Sequence, residues 1–151
     1  MREILFRGKR KDNGAWVEAT SILSARDGKA KDFYIGAKGD MDLYADTDYN
    51  LHGIALSDRV LYYLVDPETV GQYTGLTDKN GKKIFEGDIL RWVGPDGEGG
   101  KVYVEYAEGV FGFLSVECPN TPPVLFADFE DGNQTLEVIG NIHDNPELLN
   151  Q

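Results

Sequence analysis

Alternating hydrophobic and polar positions recur along the chain and predict short β-strands. The clearest pair comprises residues 101–106 and 110–116, which alternate with period two on either side of a glycine-containing turn. This pattern predicts a hairpin with Val102, Val104 and Tyr106 on one face. Further strands are predicted at residues 4–10, 15–20, 33–35, 52–56, 60–65, 69–74, 82–85, 89–93 and 136–142.

Two Asn-Gly dipeptides mark tight turns between predicted strands. Asn13-Gly14 separates the first two runs, and Asn80-Gly81 separates two runs in the second half of the chain. Both residue types tolerate the positive φ angles that such turns require, so each dipeptide predicts a connection between neighbouring strands.

The best predicted domain boundary lies at Asp66-Pro67. The apolar run 60–65 ends there, because proline cannot donate to a β-ladder and restricts the residue before it. We therefore predict an N-terminal β region at residues 1–66, in which residues 24–58 are interpreted as an insertion, and a C-terminal module at residues 67–151.

Two short helical turns are predicted in the second half of the chain. Residues 124–130 place Leu125 and Phe129 four apart, and residues 144–149 offer Asn145 as an N-cap before a proline. The predicted fold class is thus mainly β, with one or two short helical turns.

Glycine, asparagine and aspartate at the predicted corners are interpreted as turn or capping residues rather than as catalytic or ligand-binding residues. Glycine suits positions where the backbone turns or approaches another strand closely, and Asn or Asp side chains bond nearby backbone groups. The residues in this class are Gly71, Gly75, Asn80, Gly81, Gly87, Asp88, Gly140, Asn141 and Asn145.

Composition limits the classes of protein. The chain has 151 residues and a net charge of −11, and residues 101–151 carry nine acidic side chains against one basic side chain, Lys101. The negative charge repels phosphate backbones, so direct nucleic-acid binding is disfavoured. The basic run Arg7, Lys9, Arg10, Lys11 is interpreted as a solvated strand edge.

The cysteine count and the hydropathy exclude two further classes. With Cys118 alone no internal disulfide forms, and no run reaches the roughly 20 apolar residues of a membrane span. We expect a cytoplasmic protein.

Catalytic, cofactor and metal signatures are weak. Residues 40–48 are rich in aspartate, but a calcium loop starting at Asp40 would need glycine and glutamate where Ala45 and Leu51 stand. His52 and His143 fall in different predicted substructures, and the segment 71–75 lacks the Gly-Lys-Ser/Thr ending of a phosphate loop. The sequence therefore predicts a non-enzymatic protein without cofactor or metal, although an enzyme with an unrecognised site stays open.

Aromatic residues in the predicted strands suggest a surface for protein contacts. Exposed aromatic groups and unpaired strand edges favour association, including formation of a homo-oligomer. The predicted interaction residues are Tyr73, Phe85, Trp92, Phe111 and Phe113. The alternative is electrostatic mimicry, in which the acidic final third occupies a basic surface of a host protein.

Three ordered phrases resemble a known family. They are the opening FRGK with the later Asn-Gly and Trp16, the middle TVGQYTGL followed by DKNGKKIFEGD (residues 69–76 and 78–88), and the ending VIGNIHDNPELL at residues 138–149. Together they resemble the YopX family of small proteins from phages and integrated prophages. The resemblance implies a β-rich protein with a small SH3-like barrel in its C-terminal part and an accessory role in a bacterial cytoplasm. It implies no catalytic residues.

Overall fold

A computed structural model describes residues 3–26, 31–38, 55–56, 60–107, 109–125 and 135–150. The described chain is mainly β, which confirms the predicted fold class. It divides into two compact units, Met1–Gln72 and Tyr73–Gln151, and passes from one to the other within a single strand. The predicted boundary at residues 66 and 67 precedes this division, and the independence of the two parts stays a prediction.

The first unit contains two antiparallel groups of strands. In one, β1 (Phe6–Lys9) pairs with β2 (Trp16–Ala19) and with the start of β7 (Gly71–Thr77), which confirms the predicted N-terminal hairpin. The other has the order β3-β4-β6-β5. Its strands are β3 (Ser21–Arg26), β4 (Lys31–Lys38), β5 (Ala55–Leu56) and β6 (Val60–Val65).

The core of the first unit forms where β1 approaches the second group of strands. Ile35 and Val65 are fully buried there. A Cβ atom added at Gly8 would lie 2.9 Å from the Ile35 Cδ1 atom and 3.1 Å from the Val65 Cβ atom. Glycine at position 8 therefore permits this close packing.

A 3₁₀ turn at Pro67–Thr69 replaces the start of the strand predicted at residues 69–74, so β7 begins at Gly71. Asp66 caps the turn by accepting a hydrogen bond from the Glu68 N–H at 3.2 Å. The Thr69 hydroxyl donates to the Asp66 carbonyl at 2.7 Å and accepts from the Lys9 N–H at 2.8 Å. Local capping by side-chain oxygens thus outweighs the strand propensity of these residues.

The second unit is built on a five-stranded antiparallel sheet with the order β12-β11-β10-β9-β13. Before it, the second half of β7 pairs with β8 (Lys83–Phe85) across the Asn-Gly turn. The sheet strands are β9 (Asp88–Val93), β10 (Gly99–Ala107), β11 (Val110–Ser115), β12 (Val124–Leu125) and β13 (Thr135–Asn141). The finer prediction of an SH3-like barrel stays a prediction.

One face of this sheet carries the core of the second unit. The buried cluster consists of Ile84, Leu90, Val102, Val104 and Phe113. The predicted hairpin of β10 and β11 is confirmed, with Val104 opposite Phe113. Side chains two residues apart on a strand share a face, so the core face continues along the hairpin beyond these two residues.

Of the two helical turns predicted in this half, one is present. A 3₁₀ turn occupies Pro146–Leu149, as predicted from Asn145-Pro146. The turn predicted at residues 124–130 is wrong at its start, because Val124 and Leu125 form β12 and pair with β11; residues 126–130 lie outside the described residues. None of the helices described is long and apolar enough to cross a membrane.

Candidate functional site

Three of the five aromatic residues predicted as an interaction surface are core residues. Tyr73, Phe85 and Phe113 are 5%, 2% and 1% exposed. The ring centroids of Tyr73 and Phe85 lie 5.5 Å apart, a packed aromatic pair. The prediction needs correction for these three residues, because their large apolar rings are buried in the core and are not available at the surface. Trp92 and Phe111 are half-buried against that core.

The exposed apolar groups of the core face lie at the far end of the β10–β11 hairpin. Tyr106 is 51% exposed, lies opposite Phe111 in the ladder, and meets its ring edge-on with centroids 4.9 Å apart. Val124 of β12 lies opposite Phe113 and is 43% exposed. By register these side chains belong to the face that carries the core. We call Tyr106, Phe111 and Val124 the hairpin-end patch.

The two outermost described strands of the five-stranded sheet, β13 and β12, differ in the contacts described at their outer edges. On the β13 side, the Lys79 N–H donates to the Leu136 carbonyl at 2.9 Å and the Val138 N–H donates to the Asp78 carboxylate at 3.1 Å. Loop groups thus bond the outer edge of β13. On the other side, β12 is the last strand among the described residues. The hairpin-end patch lies beside β12.

Asp78 organises the loop that covers β13. Its carboxylate is buried and accepts hydrogen bonds from the N–H groups of Asn80 at 2.8 Å, Lys82 at 2.9 Å and Val138 at 3.1 Å. Burial raises the pKa of this carboxyl, but the three N–H groups and the nearby Lys82 ammonium outweigh burial, so the pKa lies below its ordinary value. Sequence reasoning did not single out Asp78; its position two residues before Asn80-Gly81 was the available signal.

Within this loop the Asn-Gly turn has the expected geometry. Gly81 has φ +80° and donates its N–H to the Asp78 carbonyl at 2.9 Å, while Asn80 is exposed. Gly75, with φ +93°, lies where the pairing of β7 and β8 shifts register. Gly71 is buried at the start of β7. These residues therefore have structural roles in the turn and in the strand pairing, as predicted for turn residues.

The corner at Gly87 and Asp88 joins β8 to β9. Gly87 has φ +81°, donates to the Val104 carbonyl at 2.9 Å and accepts from the Ile142 N–H at 2.9 Å. Asp88 is 1% exposed, and its carboxylate accepts from the Phe85 N–H at 2.8 Å. Both residues therefore stabilise the backbone conformation of this corner.

The C-terminal segment is fixed by asparagine side chains. The Asn141 Oδ1 atom accepts from the N–H groups of His143 and Asp144 at 3.0 and 2.9 Å. Asn145 stands at the N-cap position, but its side chain makes no capping bond to the turn; its Oδ1 atom accepts from the Asn141 N–H at 3.4 Å. A Cβ at Gly140 would lie 2.6 Å from that Oδ1 atom, so glycine allows the segment to lie against β13.

Among the described residues, no group of three or more His, Cys, Asp or Glu side chains could hold a metal ion. His143 is half-buried in the C-terminal segment and Cys118 is exposed. His52 and the aspartate-rich residues 40–48 lie outside the described residues. Within the described part of the chain, the candidate site is therefore the hairpin-end patch.

In the first unit, two cations of the basic run lie over aromatic rings. The Arg7 guanidinium is 4.7 Å from the Trp16 ring centroid, and the Arg10 guanidinium is 4.2 Å from that of Tyr63. Arg10 also pairs with Asp12, and its side-chain hydrogen bond lowers the pKa of that carboxyl. These two guanidinium groups are thus engaged within the unit.

Two antiparallel β units, with turns carried by Asn-Gly and Gly-Asp phrases, define a small mainly β protein. The family described as YopX protein matches residues 5–150, so the chain belongs to the YopX family. Among solved structures, it is similar to the crystal structure of protein EF1440 from Enterococcus faecalis, with 22% identity, 99% coverage of each chain and a TM-score of 0.45. No curated protein matches the chain.

Proposed function

We propose that the chain is a non-enzymatic phage or prophage accessory protein of the bacterial cytoplasm that binds a protein partner or assembles with itself. Its C-terminal unit, for which we retain the SH3-like interpretation, would supply the contact surface. The observation that carries the proposal is the exposure of Tyr106 and Val124, at 51% and 43%, on the face that elsewhere forms the core.

The physical reason is the cost of leaving these groups in water. Tyrosine combines a large apolar ring with a hydroxyl that can find a polar partner, which makes it common at protein interfaces. The edge-on contact with Phe111 restrains the Tyr106 ring. A partner that covers the patch then gains apolar contact while ordering few side chains.

The test compares Tyr106→Ser with Val93→Ser in the full chain. Val93 is 38% exposed on β9, so its replacement controls for the loss of an exposed apolar side chain elsewhere on the same sheet. We expect Tyr106→Ser to weaken retention of proteins from a host lysate, or self-association seen by light scattering, by about tenfold, and Val93→Ser to leave both nearly unchanged. Equal behaviour of the two variants would contradict the proposal.

The charge of the final third supports a second candidate, mimicry of a nucleic-acid backbone toward a basic host surface. Residues 101–151 carry a net charge of −8, from one basic and nine acidic side chains. The basic one, Lys101, donates its ammonium to the Leu148 carbonyl at 2.7 Å. In the same retention experiment, mimicry requires binding that weakens steeply as salt rises and does not respond to Tyr106→Ser.

A further inference from the structure

We propose that Asn80 is a site of spontaneous deamidation, and that the reaction releases the Asp78 loop (residues 78–82) from the outer edge of β13. The inference goes beyond the proposed function, because it concerns a covalent change of the chain itself. The observations that carry it are the exposure of Asn80, the hydrogen bonds around the following glycine, and the contrast with the other described Asn-Gly dipeptide, Asn13-Gly14.

The reaction needs only the chain and water. The backbone nitrogen of Gly81 loses its proton and bonds to the side-chain carbonyl carbon of Asn80, and the side-chain nitrogen leaves as ammonia. Water then opens the cyclic imide at either carbonyl and gives aspartate or isoaspartate at position 80. Water enters, ammonia leaves, and nothing is oxidised or reduced. Glycine favours the first step because no side chain shields its nitrogen; a Cβ atom added at Gly81 would meet no described atom within 4 Å.

Side-chain bonding selects Asn80 over Asn13. Both residues are exposed, and both following glycine N–H groups donate to backbone carbonyls at 2.9 Å. The Asn13 Oδ1 atom also accepts from the Ala15 N–H at 2.9 Å, so this side chain must give up a hydrogen bond before it can reach the next nitrogen. The Asn80 side chain makes no hydrogen bond within the described part of the chain, so it turns toward the next nitrogen without such a loss.

Asp78 restrains the reacting peptide group from both sides. Its carboxylate accepts from the N–H groups of Asn80 at 2.8 Å and Lys82 at 2.9 Å. Its backbone carbonyl accepts from the Gly81 N–H at 2.9 Å. The backbone at Asn80 must rotate for the Gly81 nitrogen to reach the side chain, so the reaction waits until these bonds open. Asp78 therefore sets the rate of the reaction.

Isoaspartate at position 80 changes the loop, because the backbone then runs through the side chain and gains a methylene group. The Asp78 carboxylate cannot keep its present distances to the N–H groups on both sides of a longer segment. The same carboxylate accepts from the Val138 N–H of β13 at 3.1 Å, and the Lys79 N–H donates to a β13 carbonyl at 2.9 Å. The modification therefore weakens the bonds that hold the loop on β13.

The test ages the full chain in mildly alkaline buffer and digests it after aromatic residues. Digestion places the two dipeptides in separate fragments, residues 7–16 and 74–85, each with a single Asn and no Gln. The mass gained when water replaces ammonia measures the reaction. We expect the Asn80 fragment to convert at least about threefold faster than the Asn13 fragment, and the two rates in concentrated urea to differ by less than about twofold.

The restraint is tested with Asp78→Ala and its matched control Asp96→Ala. Asp96 accepts one bond, from the Glu98 N–H at 3.1 Å, in a different loop. We expect Asp78→Ala to speed the reaction at Asn80 by at least about threefold, and Asp96→Ala to change it by less than about twofold. If Asp78→Ala does not fold, urea below the unfolding transition of the wild type takes its place and should speed the reaction at Asn80.

The release is tested on the modified chain, which its added negative charge separates by ion exchange. Hydrogen exchange at the amides of Lys82 and Val138 should be at least about fivefold faster than in the unmodified chain, while exchange along the β10–β11 hairpin changes by less than about twofold. Equal conversion of the two fragments in the native chain would overturn the assignment of Asn80. An Asp78→Ala rate equal to that of the wild type would overturn the restraint, and unchanged exchange at Val138 would overturn the release.

Discussion

Asp78 illustrates how a single buried carboxylate can fix a loop. It satisfies two N–H groups of its own loop and one from β13, Val138. A carboxylate has enough lone pairs for all three bonds, whereas an amide side chain presents one acceptor oxygen and one donor nitrogen. The bonding at the outer edge of β13 therefore explains why position 78 carries aspartate rather than asparagine.

Replacement of Asp78 by Asn should lower the free energy of unfolding by about 1–3 kcal/mol, because the new NH₂ group faces a backbone N–H and leaves it unsatisfied. Urea denaturation measures the change. Asp96→Asn is the matched control, since Asp96 is exposed and accepts one bond, from the Glu98 N–H at 3.1 Å.

The lowered pKa of Asp78 gives this prediction a pH dependence. A carboxyl whose pKa is lower in the folded state than in the unfolded chain stabilises the fold fully above the unfolded value, ordinarily 3.8, and the stabilisation is lost as the pH falls through the folded value. The deficit of Asp78→Asn should therefore be largest near neutral pH and shrink in strong acid. A deficit that grows in acid would contradict the assigned role.

At the scale of strands and turns, local signals were readable from the sequence and the limits of the core were not. Asn80-Gly81 determines its turn within a few residues, so the hairpin could be predicted. Alternation placed Val102, Val104 and Tyr106 on one face, but only the exposure of Tyr106 in the structure shows that the core ends before this residue. Leu125 suits a helical turn or a strand equally, and its pairing with the distant Gly112 decides the matter.

The docking of the C-terminal turn on β13 gives a prediction about an element. A methyl group at Gly140 would lie 2.6 Å from the Asn145 Oδ1 atom and 2.8 Å from the Leu148 Cδ1 atom. Gly140→Ala should therefore cost about 1–3 kcal/mol of stability through overpacking. Asn145→Ala removes the nearer atom, so the double variant should lose less than the sum of the two single variants. Additive losses, measured by thermal unfolding, would show that the clash is relieved elsewhere.

At the scale of the whole molecule, the sequence predicted two parts and the charge gradient between the ends of the chain. The predicted boundary followed the local signal of Asp66-Pro67, whereas the compact units divide between Gln72 and Tyr73, inside β7. A proline marks the end of one strand, but the division depends on which later partners the next strand finds. Residues 71 and 72 pair with β1, and Tyr73 pairs with β8.

If the two parts are independent domains, a defect in one should leave the other intact. Gly8→Ala places a methyl group 2.9 Å from the Ile35 Cδ1 atom in the first unit and should cost that unit about 1–3 kcal/mol. Trp16 and Trp92 report on the first and second units, so the Trp92→Phe and Trp16→Phe backgrounds each leave one fluorescent probe. We expect Gly8→Ala to shift the denaturation midpoint reported by Trp16 and to leave that reported by Trp92 unchanged. Equal shifts for both probes would mean that the units unfold as one cooperative body.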